Sequence, residues 1–193
     1  LGGLRLLGRG ESTVRKRTSR LPTKTLRFVT YNVHSCAGLD GRISPERIAR
    51  VLAQCDADVI ALQELDVMKQ RTGRLDQTSE IARRLESEYQ LFHPAISVAD
   101  ELYGDAILSR LPLRLVRAGS LPGAHLKPRL ERRGAIWASV DWDGREMQVV
   151  NTHLGLHGPE RSLQVDTLLG PEWLGHPECR DPVVFCGDWN MTP

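Results

Sequence analysis

At 193 residues and 40% hydrophobic content, the chain has room for one domain with a sizeable core and too little length for two. Its apolar runs, the longest being Val59 to Leu62 and Val183 to Cys186, fall far short of the ~20 residues a membrane-spanning helix requires, so a soluble protein is expected. The net charge of +2 hides an uneven split: residues 1–25 carry seven Arg or Lys against Glu11 alone, leaving a net of −4 elsewhere, which speaks against a strong binder of duplex DNA.

The stretch 1–25 is rich in Arg, Ser, Thr and Gly without periodicity and reads as a flexible basic arm or linker remnant, able to touch an anionic membrane. The chain opens on Leu1 without an export signal and closes directly after an apolar run, so both ends are expected to be cut. Cys36, Cys55, Cys179 and Cys186 show no CxxC spacing, which points to a reducing, cytoplasmic setting, with a membrane-peripheral one as the variant the arm allows.

From Leu26 the run LRFVTYN predicts a first core strand that breaks into a loop holding Gly38, Asp40 and Gly41. Ser44 before Pro45 offers an N-cap and first-turn proline, and Ile48, Val51, Leu52 and Cys55 recur at helical spacing, giving a helix over about 45–55. DVIALQE reads as a strand buried on both faces. A second helix is predicted over about 78–89, followed by strands at LFHPA, GDAILS and LRLVRAG.

GAIWASVDWDGREMQVVNTH predicts an antiparallel hairpin, because Asp143 and Gly144 suit a two-residue turn with positive φ angles. Residues 159–169 read as a helix stopped by Gly170 and Pro171, and PVVFCGDWN as one more strand. Strands separated sometimes by helices and sometimes by tight turns imply an α/β fold with mixed sheets.

Four polar clusters fall at the predicted C-terminal ends of core strands: Asn32 with His34, Gln63 with Glu64, Asn151 with His153, and Asp188 with Asn190. Rigid strand ends that converge could hold a hard cation and a phosphate. Glu64 is the strongest candidate metal ligand, since magnesium takes one or two carboxylates and fills its shell with water and substrate oxygens. In GDWN, Asp188 and Asn190 lie two apart and share a face in an extended chain.

TYNVH, LQELD, YGDAILSR, ERRGAIW, VNTHLGL and FCGDWN, in that order, resemble the endonuclease/exonuclease/phosphatase superfamily over residues 26–193, and the glycine-containing loop, RTG and NTHLGL…ER are similar to a bacterial branch near deoxyribonuclease-like and sphingomyelinase-like hydrolases. The resemblance implies a four-layer sandwich of two mixed β-sheets flanked by helices. It also implies magnesium, with manganese as the alternative, at Glu64 with Asn32 beside it. By motif position Asp188 orients or deprotonates the attacking water, His153 and Asn190 hold phosphate oxygens, and Asn151 and Arg133 contact substrate. Lys127, Arg129 and Arg132 are nearby arginine or lysine side chains more simply read as solvated.

Relatives continue to a terminal Ser-Asp-His element that this sequence does not reach, so a chain lacking its last segment is expected, and neither His157 nor His176 has motif support as a substitute. Asp105 stands where relatives place Asn or an apolar residue. The expected activity is magnesium-dependent hydrolysis of a small or lipid-borne phosphodiester by a monomer. A nuclease is the alternative within enzymes, and a catalytically silent binding scaffold the alternative outside them.

Overall fold

The computed structural model describes residues 25–123, 126 and 130–191. The expected basic arm, apart from Thr25, and the side chains of Lys127 and Arg129 lie outside the described residues.

β1 (Phe28–Asn32) leads through a 3-10 turn (His34–Cys36) to α1 (Pro45–Gln54) and β2 (Val59–Val67). α1 begins as its sequence dictates: the Ser44 hydroxyl accepts from the Arg47 N–H at 3.1 Å, Pro45 opens the first turn, and Ile48, Ala49 and Leu52 are buried. α2 (Gln77–Arg84) starts on a second side-chain cap, Asp76 accepting from the Ser79 N–H at 3.0 Å.

α2 is shorter than the predicted 78–89. Leu85 closes it, Glu86 takes a φ of 53°, and the Ser87 N–H returns to the Ala82 carbonyl at 3.0 Å. This is a Schellman stop made without glycine, so the usual sequence mark is missing. Tyr89 therefore belongs to β3 (Tyr89–Val98), which turns at Ala99 and Asp100 into β4 (Glu101–Ser109). The separately predicted LFHPA and GDAILS are thus arms of one hairpin.

β5 (Leu113–Ser120), β6 (Gly134–Trp142) and β7 (Arg145–His153) follow, with β6 and β7 joined as predicted through Asp143 (φ 58°) and Gly144 (φ 78°). α3 (Gly158–Leu169) precedes β8 (Val183–Asp188).

The strands form two four-stranded sheets, ordered β1-β2-β4-β3 and β5-β6-β7-β8. β1/β2 and β7/β8 run parallel and all other neighbours antiparallel, so both sheets are mixed. β2 is buried on both faces, as its continuous apolar run predicts: Ile60 and Leu62 pack with Ile48, Leu52 and Ile81 of the helices, while Val59 packs with Ile136, Val140 and Val149 of the second sheet. Leu168 of α3 and Trp173 cover the outer side of the second sheet through Trp137 and Val150. The result is helices, sheet, sheet, helix: the four-layer sandwich. Among the described residues no helix is long and apolar enough to cross a membrane.

Candidate active site

The two parallel pairs place Asn32, at the end of β1, near Asp188, at the end of β8. Gln63 and Glu64 were expected at the end of β2, but the strand runs on to Val67 and they sit at an interruption within it. Leu62 pairs with Ala106 and Leu65 with Gly104, so Gln63 and Glu64 together oppose Asp105. This β-bulge gives Glu64 a φ of 62° and turns its side chain away from the regular alternation. Asp105, fully buried beneath, accepts from the Glu64 backbone N–H.

One amide gathers the carboxylates. Asn32 Nδ2 donates to Glu64 Oε1 at 2.9 Å and to Asp188 Oδ2 at 2.8 Å, while its Oδ1 accepts from the His34 backbone N–H at 3.0 Å. Because that N–H can only donate, it fixes which end of the amide faces the acids. The exposed His34 ring places Nδ1 3.1 Å from Glu64 Oε2. At β8, Gly187 has a φ of 147°, and a Cβ there would collide with the Thr152 carbonyl oxygen, so glycine lets β8 approach β7 just before Asp188.

His153 completes the cluster. Arg133 Nη1 lies 3.0 Å from His153 Nδ1 and donates to Glu131 Oε1 at 2.5 Å. An arginine has no acceptor, so within that pair only Nδ1 can accept. Nε2 is 3.8 Å from Asp188 Oδ2 and 2.9 Å from Asn190 Nδ2, whose firm bond is to the Leu154 carbonyl at 2.7 Å; with one acceptor nitrogen, the neutral ring accepts from Arg133 or from Asn190 but not from both. Burial, then the charge of Arg133, push the His153 pKa down to about 4 against the opposing pull of Asp188 and Glu64, so the ring is neutral at pH 7.

Burial by itself would raise the Asp188 carboxyl, but hydrogen bonds from Asn32 and from the Asn190 backbone N–H at 2.9 Å, with the charge of Arg133 behind them, hold it below the ordinary range. The opposite balance holds at Asp105, where burial outweighs Arg133 and the Glu64 N–H and pushes the carboxyl up to about 7. Arg133 is itself buried, 6% exposed, and its Nε has no hydrogen-bond partner among the described residues. Such a donor is costly unless an anion meets it.

Glu64, Arg133, His153 and Asn190 line a cavity of about 510 Å³ together with His34, while Asn32, Asp188 and Asn190 line an adjoining one of about 640 Å³. Asn151 is placed differently from expectation. It is completely buried behind the cluster, with Nδ2 donating to the Leu62 and Ala106 carbonyls at 3.0 Å each and Oδ1 accepting from Gln63, so it supports the site without lining it. Neither His157 nor His176 lines these cavities; His176 packs edge-on against Trp137 at 5.4 Å. Sequence reasoning did not single out the ion pair of Asp66 and Arg71 or Tyr103 beside it, although RTG marks the position of Arg71.

Among the described residues no group of three or more His, Cys, Asp or Glu side chains could enclose a metal. Glu64, partly exposed at the cavity wall, and Asp188 across the Asn32 NH2 group offer carboxylate oxygens of the kind a hard cation takes while completing its shell with water and substrate oxygens.

Several solved structures share this architecture. An endonuclease/exonuclease/phosphatase from Beutenbergia cavernae superposes with a TM-score of 0.70 at 24% identity, covering 86% of this chain and 47% of that one. A mannosyl-6-phosphatase of Bacteroides thetaiotaomicron gives 0.66 at 19% identity over 88% and 67%. TDP2 of D. rerio complexed with a single strand DNA product gives 0.59 at 19% identity over 87% and 62%. The chain thus spans about half the length of the first of these and about two thirds of the others. The sequence family described as Endonuclease/Exonuclease/phosphatase matches residues 29–193. With the sandwich and the clustered motif residues in place, the chain belongs to the endonuclease/exonuclease/phosphatase family.

Proposed function

We propose that this site hydrolyses phosphate esters with a bound divalent cation, magnesium or manganese, and that its substrate is a small or lipid-borne phosphodiester. The observation that carries this reading is the clamp of Glu64 and Asp188, from different sheets, by the single Asn32 amide beside a neutral histidine and a buried arginine. Held by Glu64 with Asn32 beside it, the cation would supply Lewis-acid polarisation of a phosphoryl oxygen.

The remaining work falls to side chains. Asp188, kept ionised by its hydrogen bonds, orients a water for in-line attack and accepts its proton. The His153 ring, Arg133 Nε and the Asn190 amide hold phosphate oxygens as negative charge builds. His34 and Asn32 keep Glu64 from turning away, and Asp105 pins the bulge that presents it.

The test is release of nitrophenol from bis(p-nitrophenyl) phosphate with and without magnesium, using Glu64→Gln and Asp188→Asn as controls. Each variant is expected to lose at least about a hundredfold in kcat. Activity that survives both substitutions would sink the assignment, and an intact but inactive protein would favour a binding scaffold. A DNA strand is the second reading, favoured by the neighbour seen with a single strand DNA product. Cleavage of single-stranded DNA that falls steeply with salt would support it over the small diester.

A further inference from the structure

The cavity that carries the cluster has a second cationic end that hydrolysis of a simple diester leaves unused. Lys69 and Arg71 line it with Glu64, Arg133 and His153. Arg71 is locked in place: Nε and Nη2 donate to the two Asp66 oxygens at 2.7 Å each, and Nη2 also reaches Ser35 Oγ at 3.0 Å. Asp66 is 0% exposed, a desolvated carboxylate that this fork compensates. Gln77 braces the frame, accepting from the Asp66 N–H at 2.9 Å and donating to the Ser35 carbonyl at 2.7 Å.

Two segments, β2 through Asp66 and the 3-10 turn through Ser35, therefore converge on one guanidinium, yet its Nη1 makes no hydrogen bond among the described residues. Lys69 has no carboxylate partner among them either. Its ammonium lies 5.7 Å from the Tyr103 ring centre and the Arg71 guanidinium 5.6 Å from the same ring, so one aromatic side chain holds both cations at the wall. Neutralising Asp66 engages Nε and Nη2 of Arg71 and leaves Nη1, on a side chain 58% exposed, open to an incoming anion together with the lysine on the same cavity wall. At the other end of the set, the unpartnered Arg133 Nε marks a separate place for anionic oxygen.

We infer that Lys69 and Arg71 bind a second phosphate of the substrate, one that is not cleaved. The substrate class is then a phosphoester whose remainder carries its own phosphate. This deepens the hydrolase reading and rests on it.

A suitable probe pair is thymidine 5′-(p-nitrophenyl phosphate) with and without a 3′-phosphate. The bisphosphorylated ester is expected to show a kcat/KM at least about tenfold higher, mainly through KM, with the advantage shrinking as salt is added. In Lys69→Ala and Arg71→Lys the ratio between the two esters is expected to fall toward one. Arg71→Lys retains a cation beside Asp66 and so protects the fold. A ratio near one in the unaltered protein overturns the inference. Where neither ester is cut, the hydrolase reading fails by itself and calorimetry decides the subsite. Thymidine 3′,5′-bisphosphate binding at least about tenfold tighter than thymidine 5′-phosphate, with the difference lost in Lys69→Ala, supports it; equal affinities overturn it.

Discussion

Gln63 donates its side-chain amide to Asn151 Oδ1 at 2.7 Å, a bond from β2 of one sheet to β7 of the other. The two Asn151 N–H groups go to the Leu62 and Ala106 carbonyls, so every bond of this amide crosses the seam. Asn151→Ala is expected to cost about 3 kcal/mol in urea denaturation, since it leaves buried polar groups unmatched. Asn151→Asp should cost at least as much, because a carboxylate would face two carbonyl oxygens. A loss below about 0.5 kcal/mol would show that the amide is no staple.

Glu64 occupies the left-handed region at a φ of 62°, a conformation that glycine adopts without penalty. Glu64→Gly should therefore be about 1 kcal/mol more stable than Glu64→Ala, although both remove the carboxylate. Equal unfolding midpoints would mean that the bulge relaxes once the side chain is gone.

His153 and Asp105 tilt stability in opposite directions. With the folded pKa of His153 down at about 4 against an ordinary 6.5, the unfolded chain takes up a proton in that window that the folded protein refuses, so stability falls toward acid. The Asp105 carboxyl, raised from 3.8 to about 7, contributes stability that is fully present below 3.8 and is lost as pH rises through 7. Between these limits each slope is about 1.4 kcal/mol per pH unit and the two offset one another. In chelator, His153→Gln is expected to become less stable as pH rises from ~4.5 to ~6.5, and Asp105→Asn more stable over the same range. Curves that stay parallel to that of the unaltered protein would refute the opposed shifts.

Asn32→Ala removes the NH2 group that holds both carboxylates. About a hundredfold loss of kcat is expected, with little change in the unfolding midpoint. Asp188 also loses a hydrogen bond that lowers its pKa, so the acid limb of any residual rate should move to higher pH. An unmoved limb would separate Asn32 from the base.

Much of this architecture was legible because local rules agree with the global one. Ser44-Pro45 announces α1, Asp143-Gly144 announces the β6–β7 turn, and the unbroken apolar run of β2 announces its two buried faces. The motif residues meet because Asn32, His153 and Asp188 end strands, Glu64 interrupts one, and Arg133 and Asn190 lie within two residues of a strand end. The α2 stop was illegible since Glu86 fills a position that glycine normally marks. The bulge at Glu64 was equally hidden, for one extra residue in a strand leaves no compositional trace. Asn151 misled because an amide at a strand end looks alike whether it faces substrate or the opposite sheet. Arg71 was overlooked because its partner Asp66 is an acid in a strand interior, visible as a pair only once the chain has folded.

The division of the cluster between two sheets has a further consequence. Asn32 and Glu64 are delivered by one sheet, His153 and Asp188 by the other, and neither half holds the whole of the proposed site. The cluster is a property of the seam. A nascent chain cannot assemble this cluster until β8, the last strand described, has zipped onto β7, and a ligand that grips both halves would act as a rivet between them. Occupancy of the site and docking of the sheets are then one equilibrium seen from two sides.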